Sequence, residues 1–255
     1  MRILISNDDG IYSPGLVVLA EAASSFGDVR IVAPAVEQSS MAQAITSSRP
    51  LRIHHAKLGA FDAYSVDGTP SDCVALGAFA WGQVDVVFSG VNLGLNVGHT
   101  MWHSGTLAAA KQAQLLGLRG IAFSAPAIDG VTDYEPIRPW LERIIAMLLP
   151  MAELPLLNVN FPAKPTAWEW TRQSVRHYEG SVVASKDPLG RDIFWFTPRP
   201  VEGPEPGTDR YAVESGLVSI TPLCLDLTDG AKLASLRASK GPRRDETRST
   251  APHSQ

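Results

Sequence analysis

Two adjacent carboxylates, Asp8 and Asp9, follow the apolar run Arg2-Ile3-Leu4-Ile5-Ser6 and precede a glycine, in the order Asn7-Asp8-Asp9-Gly10. The run reads as a strand, so the pair falls at its carboxyl end, the edge of an open α/β sheet where ligands bind. Like charges this close disfavour each other's ionisation unless a cation or hydrogen-bond donors intervene. A hard divalent ion resolves the conflict, because Mg2+, Mn2+ and Ca2+ all take oxygen ligands. The same residues are also an ordinary turn composition, since Asp, Asn and Gly favour turns.

Three further polar clusters follow strand-like or loop segments. Pro34-Ala35-Val36-Glu37-Gln38-Ser39-Ser40 comes after a run at Val29–Ala33, and its hydroxyls can reach the same sheet edge. Ser89-Gly90-Val91-Asn92-Leu93-Gly94-Leu95-Asn96-Val97-Gly98 follows a run at Val84–Ser89 and carries two carboxamides among glycines. Glycine lets a backbone approach an anion closely, and an Asn carbonyl oxygen is a neutral ligand for a hard metal, although such loops also serve as plain connections. His103-Ser104-Gly105-Thr106 opens an Ala-rich segment. Hydroxyls and unpaired N–H groups at a helix start suit a phosphate, while Ser and Thr are equally favoured there as plain caps.

The elements needed to position these groups are visible as alternation. Strand-like runs at Arg2–Ser6, Val29–Ala33, Val84–Ser89 and Gly120–Ser124 alternate with helix-like segments at Gly15–Ser25, Ser71–Trp81 and Thr106–Gly117. That order predicts an α/β fold with a mostly parallel sheet flanked by helices. Ile137, Trp140, Leu141, Ile144, Ile145 and Leu148 recur at spacings of three and four, which predicts a helix over 136–149, and Leu156–Asn160 reads as the next strand. After Pro162 the texture changes. Aromatic and Arg residues crowd 168–196 and a Pro/Gly/Glu-rich stretch follows at 199–207, predicting an extended C-terminal β-hairpin or arm, with Val218–Thr221 as a returning strand. The expected organisation is an α/β catalytic core over 1–165, an arm and return strand over 166–235, and a disordered polar tail over 236–255.

Composition narrows the function class. The chain has 255 residues, 45% hydrophobic and 19% charged, and lacks any apolar run long enough for a bilayer. A formal net charge of -4 argues against binding a nucleic-acid duplex, which needs a basic face. Two cysteines, Cys73 and Cys224, stand in neither a C-x-x-C nor a Cys/His pattern, so neither a disulfide framework nor a structural zinc site is expected. The start passes straight into the first strand without a signal-like apolar core, and a cytoplasmic location is expected.

The ordered blocks resemble the SurE family of survival-protein 5′/3′-nucleotidases. They are Met1 to Ile11, Ala33-Pro34 through Thr46 with Ser39, Val66-Asp67-Gly68-Thr69-Pro70-Ser71-Asp72-Cys73-Val74, and Ser89-Gly90-Val91-Asn92 with Asn96. Ser104-Gly105-Thr106, Asn158-Val159-Asn160-Phe161-Pro162 and Ser219-Ile220-Thr221-Pro222-Leu223 continue the series, so the likeness runs from residue 1 to about 228. The resemblance implies a SurE-like, Rossmann-like fold and a divalent metal, Mg2+ or Mn2+. It implies hydrolysis of nucleoside monophosphates, extending to other phosphomonoesters or short polyphosphate. It carries metal ligation to Asp8, Asp9, Ser39 and Asn92 and phosphate contacts to Asn96, Ser104, Gly105 and Thr106. It also implies a homodimer or homotetramer in which the arm is exchanged. Here His103 stands where family members commonly have Tyr, Gln38 stands for a basic residue, and Met41 and Ala42 replace small or hydroxylic ones; substrate preference is open at these points.

The expected chemistry is metal-assisted attack of water on a phosphomonoester, with Asp8 or Asp9 orienting the water and the 104–106 segment holding the phosphoryl group. His103 offers an imidazole for the leaving oxygen, or is simply solvated. An aspartyl-phosphate route lacks its Asp-x-Asp spacing. A nucleotide-binding regulatory protein without catalysis is the alternative, which the intact Asp8, Asp9, Ser39 and Asn92 oppose. An amide or acetyl hydrolase on a similar sheet is opposed because the chain lacks both H-E-x-x-H and G-x-S-x-G.

Overall fold

The computed structural model describes residues 1–128, 130–175, 178–201 and 203–239. In chain order the first half runs β1 (Arg2–Ser6), α1 (Pro14–Ser24), β2 (Asp28–Pro34), β3 (Ile53–Leu58), β4 (Phe61–Val66), α2 (Pro70–Trp81) and β5 (Val86–Leu93). A 3-10 turn at Gly98–Trp102 then leads into α3 (Gly105–Leu115), β6 (Arg119–Ala125), α4 (Arg138–Leu148) and β7 (Leu156–Asn160). The remainder is β8 (Ala167–Trp170), β9 (Tyr178–Lys186), β10 (Asp192–Pro200), α5 (Asp209–Glu214), β11 (Leu217–Pro222) and α6 (Gly230–Ser239).

Nine strands among the described residues form one sheet in the order β3-β4-β2-β1-β5-β6-β7-β11-β8. From β4 to β7 every neighbouring pair is parallel, while β3 and the β11–β8 pair run the other way at the two margins. Strand order reverses at β1: the chain goes first outward to β2 and later returns to place β5 on the opposite side. Such a reversal of strand order is where open α/β sheets bind ligands, at the carboxyl ends of the strands. Asp8 and Asp9 lie at that point.

Strand alternation divides the core in two. Ile3, Ile5, Ile31, Phe88, Ile121 and Val159 face α1 and α4, whereas Leu4, Val32 and Val87 face α2 and α3. On α4 the predicted stripe of Leu141, Ile144, Ile145 and Leu148 is fully buried, each side chain contributing roughly 1.5–3 kcal/mol. Helix starts follow their local chemistry. Thr69 and Asp72 form a reciprocal capping box ahead of Pro70, and Ser104 accepts the Leu107 amide at 3.0 Å to cap α3.

Four local expectations are corrected or extended. The sequence pattern predicts no element at 53–66, but β3 and β4 pair antiparallel there; Ile-His-His-Ala-Lys-Leu on a sheet margin buries only two residues, so its pattern is weak. The third parallel strand continues through a register shift to Leu93, which puts Asn92 on the strand rather than in the loop after it. Trp168 and Trp170 belong to β8, a margin strand of the main sheet, and the hairpin proper is β9–β10, registered from Tyr178↔Pro200 to Lys186↔Asp192. Leu236, where the tail was expected to begin, lies in α6, because Ala, Lys, Leu and Arg favour helix without any apolar period. Residues 240–255 of the expected tail lie outside the described residues.

By internal contacts the chain divides into Met1–Leu223, which holds the whole sheet and the hairpin, and Cys224–Gln255, which holds α6 with every residue of that helix exposed. Among the described residues no helix is long and apolar enough to cross a membrane.

Candidate metal and phosphate site

Asp8 is buried, 4% exposed, and is pressed against the first turn of α3. The contact is so close that a Cβ on Gly105 would come within 2.7 Å of Asp8 Cβ and 2.8 Å of its Oδ2. Only glycine fits there. The Thr106 hydroxyl donates to Asp8 Oδ1 at 2.7 Å. Burial pushes the Asp8 carboxyl up to about 6; the Thr106 hydroxyl opposes this, and the neighbouring Asp9 charge adds to it.

Asp9 is half-buried, and its Oδ2 accepts the Leu93 amide at 3.1 Å. Burial raises its carboxyl as well; the Leu93 amide works against the shift and the Glu37 charge reinforces it. The bulged end of β5 thus delivers Asn92 and Leu93 beside Asp9. Asn92 uses its amide nitrogen on the Gly94 carbonyl at 2.8 Å, which leaves the carboxamide oxygen as its donor atom for a cation.

Ser39 is placed differently. It is exposed, and its hydroxyl donates to Glu37 Oε1 at 2.7 Å. Its loop is nevertheless docked on the site, since the Gln38 amide donates to the Asp8 carbonyl at 2.7 Å and the Ala42 amide to the His103 carbonyl at 3.1 Å. His103 itself is exposed at the end of the 3-10 turn, next to Ser104.

Asn96 and Thr106, expected from the sequence as phosphate contacts, belong to one buried network. Asn96 Nδ2 donates to Thr106 Oγ1 at 3.2 Å and to Ser124 Oγ at 2.9 Å, so a continuous path runs from Asn96 through Thr106 to Asp8. The Asn96 amide donates to Asn160 Oδ1 at 2.8 Å, and its carbonyl accepts from Asn158 Nδ2 at 2.8 Å and Asn160 Nδ2 at 3.1 Å. Ser124, Asn158 and Asn160 were not among the predicted site residues. The signal existed: two Asn two residues apart in an otherwise apolar strand point to the same face, and such a pair in a core needs polar partners.

The donor set fits a hard divalent cation. Two carboxylates are driven toward protonation by burial, and among the described residues no ion pair joins either of them to a basic side chain. No group of three or more His, Cys, Asp or Glu gathers anywhere among the described residues, so an ion here would rest on two carboxylates and neutral oxygens. That is the oxygen-rich arrangement hard metals take.

An open, largely parallel α/β sheet with an acidic oxygen cluster and a helix N-terminus at its strand-order reversal is the arrangement in which α/β proteins bind charged ligands. The chain belongs to the SurE family: the family model described as Survival protein SurE matches residues 3–180. It is 46% identical over 235 residues to a Thermus thermophilus protein named 5'-nucleotidase SurE 1, covering 89% of this chain and 93% of that protein. A Deinococcus radiodurans protein named 5'-nucleotidase SurE is 43% identical over 236 residues, 89% of this chain and 88% of its own length. The crystal structure of the SurE protein from Aquifex aeolicus superposes with a TM-score of 0.81 at 36% identity, covering 94% of this chain and 99% of that one.

Proposed function

We propose that this protein is a divalent-metal-dependent nucleotidase, which hydrolyses nucleoside monophosphates to nucleoside and phosphate at Asp8 and Asp9. The observation that carries the reading is the direct contact of a buried, uncompensated carboxylate with the first turn of α3, which brings metal-ligating and phosphate-holding groups together. Relatives named 5'-nucleotidase support the substrate class. Other phosphomonoesters and short polyphosphate fall within the same chemistry.

On this reading Asp8, Asp9, Ser39 and Asn92 hold Mg2+ or Mn2+ through oxygen. When bound, the ion supplies Lewis-acid polarisation of a phosphoryl oxygen and a water of lowered pKa. Thr106 keeps Asp8 ionised against the burial that favours its protonated form, so Asp8 stays available to ligate and to orient the attacking water. The Leu93 amide does the same for Asp9. The Ser104 hydroxyl and the first-turn N–H groups of Gly105 and Thr106 hold the other phosphoryl oxygens, aided by the positive end of the α3 dipole, and Asn96 joins them by releasing one of its side-chain bonds to Thr106 or Ser124. Most of the rate gain is then positioning and fixed electrostatics. His103 is the side chain at the rim that passes a proton to the leaving oxygen; a pH profile of turnover unchanged in His103→Ala would count against that role.

Residues 1–165 act as the catalytic core, and 166–235 as the arm and return strand. Exposed Val182, Phe194 and Trp195 on the hairpin give the apolar surface for a homodimer or homotetramer. Two free cysteines, Cys73 and Cys224, accord with a cytoplasmic location.

The decisive experiment measures phosphate release from a panel of nucleoside monophosphates with Mg2+, Mn2+ or EDTA. Release that ignores EDTA overturns the metal assignment, and nucleotide binding without release favours a regulatory binder.

A further inference from the structure

Asp209, the first residue of α5, has no solvent exposure, and its carboxylate is occupied by neutral donors from three separate segments. Oδ2 accepts the Gly98 amide at 2.8 Å. Oδ1 accepts the Ser174 amide at 3.0 Å, the Ser174 hydroxyl at 2.5 Å and the Arg210 amide at 2.7 Å. The other backbone group of Gly98 is held as well, because Gln173 Nε2 donates to its carbonyl at 2.8 Å.

Gly98 matters by position. It lies two residues after Asn96 and opens the 3-10 turn that runs through Trp102 toward the Ser104 cap of α3. Its φ of 53° is in the left-handed region, which glycine reaches without steric cost. The turn between the two phosphate-holding segments is therefore fixed at its first residue from outside, by Asp209 and Gln173. Both legs of the hairpin also meet here. Gln173 and Ser174 precede β9, and the guanidinium of Arg210, next to Asp209, donates to the Val201 carbonyl just beyond β10 while pairing with Glu214 at 2.6 Å.

We propose that Asp209 is a positioning residue for the phosphate half of the site: it holds Gly98, sets the path of residues 97–104, and ties the root of the hairpin to phosphate affinity. The proposal rests on the reading that Asn96 and Ser104–Thr106 contact the phosphoryl group. A carboxylate is required because every partner of Asp209 is a donor. An Asn side chain of the same size offers one acceptor oxygen and sets an NH2 donor against the other N–H groups, so either Gly98 or Ser174 loses its partner.

The test is Asp209→Asn, with inorganic phosphate binding to the Mn2+-loaded protein measured by calorimetry and KM and kcat measured on a nucleoside monophosphate. Phosphate affinity is expected to fall about tenfold, the size of one lost hydrogen bond to a charged group, with KM following and kcat staying within about threefold. Mn2+ affinity should hold, because Asp8, Asp9 and Asn92 do not depend on Gly98. Gln173→Ala truncates a half-buried side chain without endangering the fold and should weaken phosphate by about threefold. Unchanged phosphate affinity in Gln173→Ala and in any folded Asp209→Asn protein overturns the proposal. So does an equal loss of Mn2+ binding, which marks general loosening. A wild type that binds phosphate but releases none from nucleotides refutes the proposed activity and leaves this comparison readable.

Discussion

On the α3 side of the strand ends, Asp8, Thr106, Asn96, Ser124, Asn158 and Asn160 form a connected chain of hydrogen bonds with every member buried. On the side of residues 35–42, Ser39 and Glu37 are exposed and bonded to each other, and the loop meets the body through backbone contacts to Asp8 and His103. A buried network in a low-dielectric interior is held in one geometry, because each unmade bond would leave a desolvated polar atom. An exposed hydroxyl–carboxylate pair competes with water and is weakly held. The Asp8–Thr106–Asn96 side is thus held more firmly than the Ser39 side, and on the proposed function the Ser39 side is the one a ligand would rearrange first.

Substitutions at the buried end should break this contrast most severely. Asp8→Asn is expected to cut turnover by at least about a hundredfold, since even outer partners of metal ligands cost 10- to 100-fold. Its metal-free fold should be no less stable than wild type at neutral pH, because a carboxylate disfavoured by burial has been replaced. Phosphate release and thermal unfolding without metal check the two halves of that statement. Next in size, Thr106→Val removes the hydroxyl joining Asn96 to Asp8. It should cost about 1–3 kcal/mol in stability, because buried polar groups lose a partner, and weaken Mn2+ by about tenfold. Denaturant unfolding and calorimetry would reveal an inert hydroxyl.

A pH series sharpens the same point. Asp8 titrates near 6 in the metal-free fold against 3.8 unexposed to these neighbours, so its folded pKa lies above its unfolded one. The folded protein holds the proton more tightly, and the contribution is fully present below 3.8 and lost as pH rises through about 6. Metal-free stability should therefore drop across that window by on the order of 3 kcal/mol at most, while Mn2+ affinity falls about tenfold per pH unit below 6 as protons compete. Affinity flat from pH 7 to 5 would remove Asp8 from the ligand set. The smallest effect belongs to Ser39→Ala: stability within about 0.5 kcal/mol of wild type and a loss of metal affinity of only a few fold, both by calorimetry. A loss as large as that of Thr106→Val would erase the distinction between the two halves.

Local chemistry made much of this legible in the chain. Arg2–Ser6 and Leu156–Asn160 could be read as strands because most of their residues are apolar and breakers follow or flank them, and the α4 stripe because its spacing matches one helical face. The position of Asp8 and Asp9 after the first strand followed from the same reasoning. Margin strands such as β3, mostly exposed and rich in His and Lys, carry no such period, and the bulge that draws Asn92 into β5 depends on pairing with β6.

By itself, then, the sequence determined the alternating elements, the acidic pair and the capped start of α3, since each depends on residues within a few positions of one another. Only the tertiary structure decided that Asn158 and Asn160 grip Asn96, and that Asp209 reaches Gly98 across 111 residues. Those are contacts between distant segments, selected by how the sheet brings its strand ends together and by the cost of leaving buried polar groups without partners, a cost that Asn158 Oδ1 still bears.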